Sequence, residues 1–150
     1  MAAGNRYLVA TDFSPASGRA LAVARDLARK AGASLTIVHV RPSSDLRAAV
    51  LEERGELLRA PRGSLAAAMK EHYQRRISTL VDADRDEKGM VLSGAPDIAL
   101  CKQARRGYDL LIMGSRGHGA ISALFLGGTT QRVLARSPIP VVVVPSKRRR

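Results

Sequence analysis

Tyr7-Leu-Val-Ala-Thr11 is followed directly by Asp12-Phe-Ser-Pro15, and these nine residues predict a strand that turns into a helix. A short apolar run bounded by polar residues is typical of a buried strand. Ser14 is a favoured N-cap, and Pro15 suits the first helical position because its missing N–H would be unpaired there anyway. Alanine and leucine then recur on one face as far as Gly32, which is placed to end the helix.

Strands and helices alternate along the rest of the sequence. Further strands are predicted at Leu35–Val40, Gly89–Ser93, Asp109–Met113 and Pro140–Pro145. Further helices are predicted from Ser64, at Asp97–Arg106 and at Thr129–Arg136. This order predicts an α/β protein with a single open five-stranded parallel sheet, helices on both faces and a Rossmann-like topology. Residues 1–150 are expected to form a single domain, with a basic tail at 146–150.

Ligands of such sheets bind at the carboxyl ends of the strands, where the strand order reverses. The loops after Thr11, Val40 and Met113 are therefore the places where a site is expected. No apolar run is long enough to cross a bilayer, and no secretory signal is evident, so no membrane partner is expected. The single cysteine, Cys101, cannot form an internal disulfide, which favours a cytoplasmic location; its helical neighbours favour a small buried apolar role.

The chain carries a formal net charge of +12, part of it in the tail Lys147, Arg148, Arg149 and Arg150. Such a charge attracts anions at long range. The tail is either a solvated, frayed terminus or a contact for nucleic acid. Zinc-ligand spacing, aromatic RNA-binding signatures and a basic zipper are all absent from the sequence, which argues against a nucleic-acid partner.

The most informative segment is Gly114-Ser-Arg-Gly117, which begins at the end of a strand, together with Gly127-Gly-Thr-Thr130, which opens a helix. Glycines let the backbone bend tightly, and the exposed amides and dipole of a helix start favour an anion. Other side chains in this region could add donors or charge: Ser115, Arg116, His118, Thr129 and Thr130. The alternative is that these glycines only shape a loop, since a short glycine motif is weak evidence by itself.

Asp12 follows the first strand directly, where the crevice of the sheet should open. A carboxylate there can accept hydrogen bonds from ribose hydroxyls. The alternative is a carboxylate that favours the helix start or the turn. The three histidines have no metal-ligand spacing, so no zinc site is expected.

The opening Leu8-Val-Ala-Thr-Asp-Phe-Ser-Pro-Ala-Ser17 resembles the start of universal stress proteins. Gly114-Ser-Arg-Gly-His-Gly119, Leu126-Gly127 and Ser137-Pro-Ile-Pro-Val-Val-Val-Val144 resemble their C-terminal half. The order of elements agrees across nearly the whole chain, although the part from Ser43 to Met90 matches only loosely. The resemblance implies a five-stranded fold of the adenine-nucleotide-binding type.

One branch of this family binds ATP through a Gly-x-x-Gly-x9-Gly-Ser/Thr motif, and three glycines here fall on it: Gly114, Gly117 and Gly127. The resemblance further implies nucleoside contacts from Ala10, Thr11 and Asp12, and a pocket lined by Val40 and Met113. ATP, or else AMP or ADP, with Mg²⁺ bound only alongside the nucleotide, is the implied cofactor. Gly128 departs from the motif, because it lacks the hydroxyl of the expected serine or threonine.

The last strand, Val141, Val142, Val143 and Val144, would form a sticky edge if it were left open, and a second copy could cover it. The family resemblance points to the same homodimer; the alternative is an interior strand. A Walker lysine and an evident water-positioning residue are missing from the sequence, so any ATP hydrolysis should be slow. The sequence thus predicts an ATP-binding stress or signalling module. The competing interpretation is a nucleotide-independent scaffold whose basic surface binds acidic partners.

Overall fold

The computed structural model describes residues 4–41, 65–116 and 126–146. The elements found in these ranges are β1 (Arg6–Ala10), α1 (Pro15–Ala31), β2 (Ser34–Arg41), α2 (Leu65–Ser78), β3 (Glu87–Ser93), α3 (Pro96–Ala104), β4 (Leu110–Gly114), α4 (Gly128–Arg136) and β5 (Val141–Val144). All neighbouring strands pair in parallel, in the order β3-β2-β1-β4-β5. The predicted α/β class with an open five-stranded parallel sheet is confirmed. Element ends differ from the sequence prediction by one or two residues, which is common where the last hydrogen bonds fray.

The strand order reverses between β1 and β4. The chain runs outward from β1 to β2 and β3, and then crosses to the other side of β1 to form β4 and β5. In the β1–β4 register Val9 lies opposite Ile112. The carboxyl ends of these two strands therefore lie side by side, and the helices that follow them diverge to opposite faces of the sheet. A crevice between such ends is where α/β sheets bind ligands.

The two faces of the sheet carry separate apolar layers, because successive side chains of a strand point to opposite sides. One layer packs α1 and α2 against the sheet and contains Val9, Ile37, Ile112, Leu21, Ala24 and Ile77. The other packs α3 and α4 against the sheet and contains Leu8, Val38, Leu111, Met113, Leu100 and Val133. Both faces are covered, as the near-continuous apolar strands predicted.

Helix α1 begins and ends where the sequence predicts. The hydroxyl of Ser14 accepts a hydrogen bond from the Ser17 amide at 3.2 Å, which caps the first turn. Gly32 ends the helix with a left-handed φ of 61°. The β1–α1 turn also forces Phe13 to a positive φ of 62°, a conformation that costs a residue with a bulky side chain about 1–3 kcal/mol. This strain shows that the turn before α1 is fixed by its surroundings.

Arg25 and Glu87 join α1 to the start of β3. The guanidinium contacts both carboxylate oxygens, at 2.8 and 2.9 Å, and also donates to the Leu80 carbonyl. The Glu87 side chain is only 2% exposed, and it accepts a further hydrogen bond from the Asp82 amide at 2.9 Å. Burial pushes the pKa of Glu87 upward, but the Arg25 and Asp82 hydrogen bonds and the charge of Arg25 outweigh it, so the pKa lies below its ordinary value.

None of the helices within the described ranges is long and apolar enough to cross a membrane. Strand β5 lies at one edge of the sheet, which overturns the alternative of an interior strand. Val141, Val142 and Val143 are partly exposed there, whereas Val144 is buried.

Replacing Glu87 by Gln should lower the free energy of unfolding at pH 7 by about 2–3 kcal/mol, because the half-buried Arg25 loses its charged partner. A carboxylate whose pKa is depressed by folding contributes stability above its unfolded pKa, and this contribution is lost as the pH falls through the folded value. Urea unfolding between pH 7 and pH 3 should therefore show a shallower loss of stability for Glu87→Gln than for the parent. Parallel pH curves for the two proteins would contradict this role.

Candidate functional site

The ends of β1, β2 and β4 bring most of the predicted site residues to one end of the sheet. Ala10, Val40 and Gly114 each stand at or next to the last residue of their strand. The described part of the site also includes Thr11, Asp12, Met113, Ser115, Arg116, Gly127, Gly128, Thr129 and Thr130. The predicted contacts of Gly117 and His118 lie outside the described residues.

The turn after β1 is held by its own side chains. The Thr11 hydroxyl is buried and accepts a hydrogen bond from the Phe13 amide at 3.0 Å. Asp12 accepts one from the Ser14 amide at 3.0 Å through Oδ1. His39 Nδ1 lies 2.8 Å from the Thr11 carbonyl oxygen, so the ring donates from this nitrogen. Asp12 therefore shapes the turn, as one interpretation expected. The same carboxylate lies at the crevice, where the other interpretation expected a ribose contact.

Two hydrogen bonds fasten the end of β4 to the start of α4. The Thr130 hydroxyl donates to the Gly114 carbonyl at 3.0 Å, and the Gly127 amide donates to the Ser115 carbonyl at 2.8 Å. The Ser115 amide in turn donates to the Val144 carbonyl at 2.9 Å. The start of α4 is thus joined to the end of β4 beside the crevice.

The predicted hydroxyl and guanidinium donors of this loop also have partners inside the protein. The Ser115 hydroxyl accepts a hydrogen bond from the Ser146 amide at 3.2 Å, and Arg116 donates to the Ser146 hydroxyl. Thr130 is 3% exposed and its proton goes to Gly114. These three side chains therefore hold the loop through bonds inside the protein.

Helix α4 starts without a side-chain cap. Its N-cap is Gly127, and its first turn contains no acidic residue. The amides and dipole of this turn therefore present a positive end towards the crevice. A Cβ on Gly114 would lie 3.4 Å from the carbonyl oxygens of Ala16 and Arg116, so it would be in van der Waals contact with both backbones.

A concave region that the sequence did not predict lies between α1 and α2. This cavity of about 740 Å³ includes Thr11 and Ser17 among its lining residues, and three cationic or titratable side chains of α2: His72, Arg75 and Arg76. The Arg76 guanidinium stacks over the Phe13 ring at 4.1 Å. His72 is half-buried against this cavity. The only sequence signal for this cavity was the pair of adjacent arginines in α2. Helix periodicity does not show which other element of the fold these arginines face.

Potential metal ligands and the cysteine are the other reactive side chains of the described residues. Across the described ranges, no group of three or more His, Cys, Asp or Glu residues is arranged to hold a metal ion. Cys101 is buried and free, as expected, and burial together with the nearby charge of Asp97 raises the pKa of its thiol. A thiol with a raised pKa is a poor nucleophile at neutral pH.

Comparison with known proteins places these features in a family. The sequence model of the Universal stress protein family matches residues 5–145. A universal stress protein encoded beside a sulfhydrylase gene of Thermus aquaticus is 34% identical over 139 residues, which cover 91% of this chain and 96% of that protein. A universal stress protein of Mycobacterium tuberculosis is 30% identical over 144 residues, and the match spans only 44% of its length.

Solved structures agree in fold. MJ0577, a universal stress protein of Methanocaldococcus jannaschii, superposes with a TM-score of 0.72 at 27% identity, over 97% of this chain and 98% of the other. A universal stress protein crystallised in complex with cAMP gives a TM-score of 0.61 at 25% identity, over 97% and 100% of the two chains. The match extends over nearly all of the sequence and the same sheet, so this chain belongs to the universal stress protein family.

Proposed function

We propose that this protein is an adenine-nucleotide-binding module, with ATP as its ligand, that acts as a homodimer in a stress response or in signalling. One observation carries the proposal: the uncapped start of α4 is fastened beside the end of β4, at the point where the strand order reverses. The complex of a related universal stress protein with cAMP supports a ligand that contains adenine. The cytoplasmic location expected from the sequence belongs to the same proposal.

In this proposal the nucleoside lies over the ends of β1 and β2 and the phosphates lie over α4. Asp12 accepts from the ribose hydroxyls, while Val40 and Met113 line the adenine pocket. The amides of Gly127 and Gly128 donate to the phosphates, and Gly117 and His118 complete the loop. Mg²⁺ enters bound to the triphosphate. ADP and AMP are weaker ligands, because they offer fewer phosphate oxygens to the α4 amides.

The proposed role is binding rather than turnover. The described ranges hold no cluster that could supply a resident metal, and the sequence has no Walker lysine behind the glycine loop. Binding can instead change the order of the loops after β2 and β4, which a partner would then recognise.

Replacing Asp12 by Asn should weaken MgATP binding about five- to tenfold in titration calorimetry. The asparagine side chain keeps an oxygen for the backbone N–H of Ser14 and so preserves the turn. Its NH₂ group cannot accept a hydrogen bond from a ribose hydroxyl. AMP, which retains the ribose, should lose affinity by the same factor.

Asp109→Asn is the matched control, because it removes the same charge at the opposite end of the sheet, where Asp109 accepts from the Arg6 amide. It should bind MgATP as the parent does. Equal losses in the two variants would contradict the role of Asp12. Absence of binding by the parent at millimolar MgATP would contradict the proposed function itself.

The proposed dimer forms along β5. The carbonyls of Pro140 and Val144 accept hydrogen bonds from β4, so the alternation along a strand turns the amide and carbonyl of Val143 towards the open edge. An unpaired, apolar edge of this kind invites antiparallel pairing with the same strand of a second copy.

Val143→Pro should convert the dimer to a monomer in analytical ultracentrifugation. Proline removes the outward N–H without breaking a bond to β4, so the fold should persist. Val143→Ala keeps that N–H and should leave the protein dimeric. A parent that is monomeric at 100 µM, or a dimeric proline variant, would show that β5 is not the interface.

A second candidate function is favoured by the cavity between α1 and α2. Arg75 and Arg76 line it, and the chain carries a net charge of +12, which suits an acidic protein segment as the partner. This scaffold interpretation expects a fluorescent polyglutamate peptide to bind with a steep salt dependence and to be released by the double variant Arg75→Gln/Arg76→Gln. These results would favour the scaffold function over nucleotide binding only if MgATP also fails to raise the thermal stability of the parent.

A further inference from the structure

The residue that departs from the family motif, Gly128, has a steric consequence. A Cβ placed on Gly128 would lie 3.1 Å from Nη1 of Arg132 and 3.9 Å from its Cζ. Residues four apart lie on the same face of a helix, and long side chains lean towards the helix start. The guanidinium of Arg132 therefore lies against the first turn of α4, in space that a serine or threonine side chain at 128 would claim.

Asp97 forms an ion pair with the guanidinium of Arg132. Its side chain is 6% exposed, and Oδ1 lies 3.6 Å from Arg132 Nε. Its other oxygen is 2.9 Å from Nη1 of Arg136, so the buried carboxylate keeps a close partner even without Arg132. This arrangement directs the Nε side of Arg132 towards Asp97 and its Nη1 atom towards Gly128. The side chain is 53% exposed, which leaves the guanidinium accessible to a ligand.

We propose that Arg132 is a phosphate-binding residue of this protein, with its guanidinium replacing the hydroxyl that Gly128 lacks. The inference rests on the proposed nucleotide function and adds a specificity to it. A guanidinium pairs with two phosphate oxygens at once and carries a full charge, whereas a hydroxyl offers one neutral donor. A guanidinium in place of the hydroxyl should therefore favour ligands with several phosphates over ligands with one phosphate. It should also make binding more sensitive to salt.

The first experiment compares Arg132→Gln with Arg105→Gln, which removes the same charge from the far end of α3. Titration calorimetry with MgATP, AMP and inorganic tripolyphosphate should show about a tenfold loss for ATP and tripolyphosphate in Arg132→Gln, and less than a twofold loss for AMP. Arg105→Gln should stay within twofold of the parent for all three. Equal behaviour of the two variants would overturn the inference.

The second experiment is a double-mutant cycle at position 128. Gly128→Val adds a branched side chain without a hydroxyl and should displace the guanidinium, so ATP affinity should fall about tenfold in the parent and hardly at all in Arg132→Gln. Gly128→Thr has the same shape but carries the hydroxyl, and should restore part of the affinity in Arg132→Gln. Additive losses from Gly128→Val and Arg132→Gln would overturn the inference.

The choice of ligand distinguishes a failure of the proposed nucleotide function from a failure of the proposed role of Arg132. A parent that binds tripolyphosphate as tightly as ATP and does not bind AMP contradicts an adenine site, while Arg132 is still tested on tripolyphosphate. A parent that binds neither overturns both. Thermal melts of every variant confirm that the comparison is made on folded protein; Asp97 keeps Arg136, so Arg132→Gln should unfold cooperatively.

Discussion

The connection between the end of β4 and the start of α4 is the constraint on which the candidate site depends. The buried Thr130 hydroxyl donates a hydrogen bond to the carbonyl of Gly114, the last residue of β4. The Gly127 amide donates a second hydrogen bond to the Ser115 carbonyl. The Thr130 side chain is buried, so breaking its bond would leave a polar group without compensation. The two hydrogen bonds hold the positive end of α4 next to the end of β4.

A second constraint acts on the other side of the crevice. The β1–α1 turn is fixed by Thr11, by Asp12 and by the strained backbone of Phe13. His39 reaches the same turn from β2 through its contact with the Thr11 carbonyl. The ends of β1 and β2 are thus joined at this turn, because polar side chains bond to backbone groups that the turn would otherwise leave unpaired.

The sequence predicted much of this correctly because the signals were local. Ser14 and Gly32 mark the ends of α1 by backbone preferences that need no partner, and the apolar runs predict strands covered on both faces. The ligand site that Gly114 and Gly127 indicate stays a prediction; the structure shows that the two residues lie at neighbouring ends of β4 and α4.

The alternation of apolar strands and helices by itself determined the α/β class, the motifs at the two ends of the sequence carried the family resemblance, and the glycine pattern predicted the end of the sheet where a ligand would bind. Tertiary structure alone decided that β5 lies at an edge, that Thr130 bonds to Gly114, and that Arg132 lies against Gly128 with Asp97 behind it. The physical reason is distance along the chain. Asp97 and Arg132 are brought together only when α3 and α4 pack on the same face, and no pattern within either helix specifies that contact.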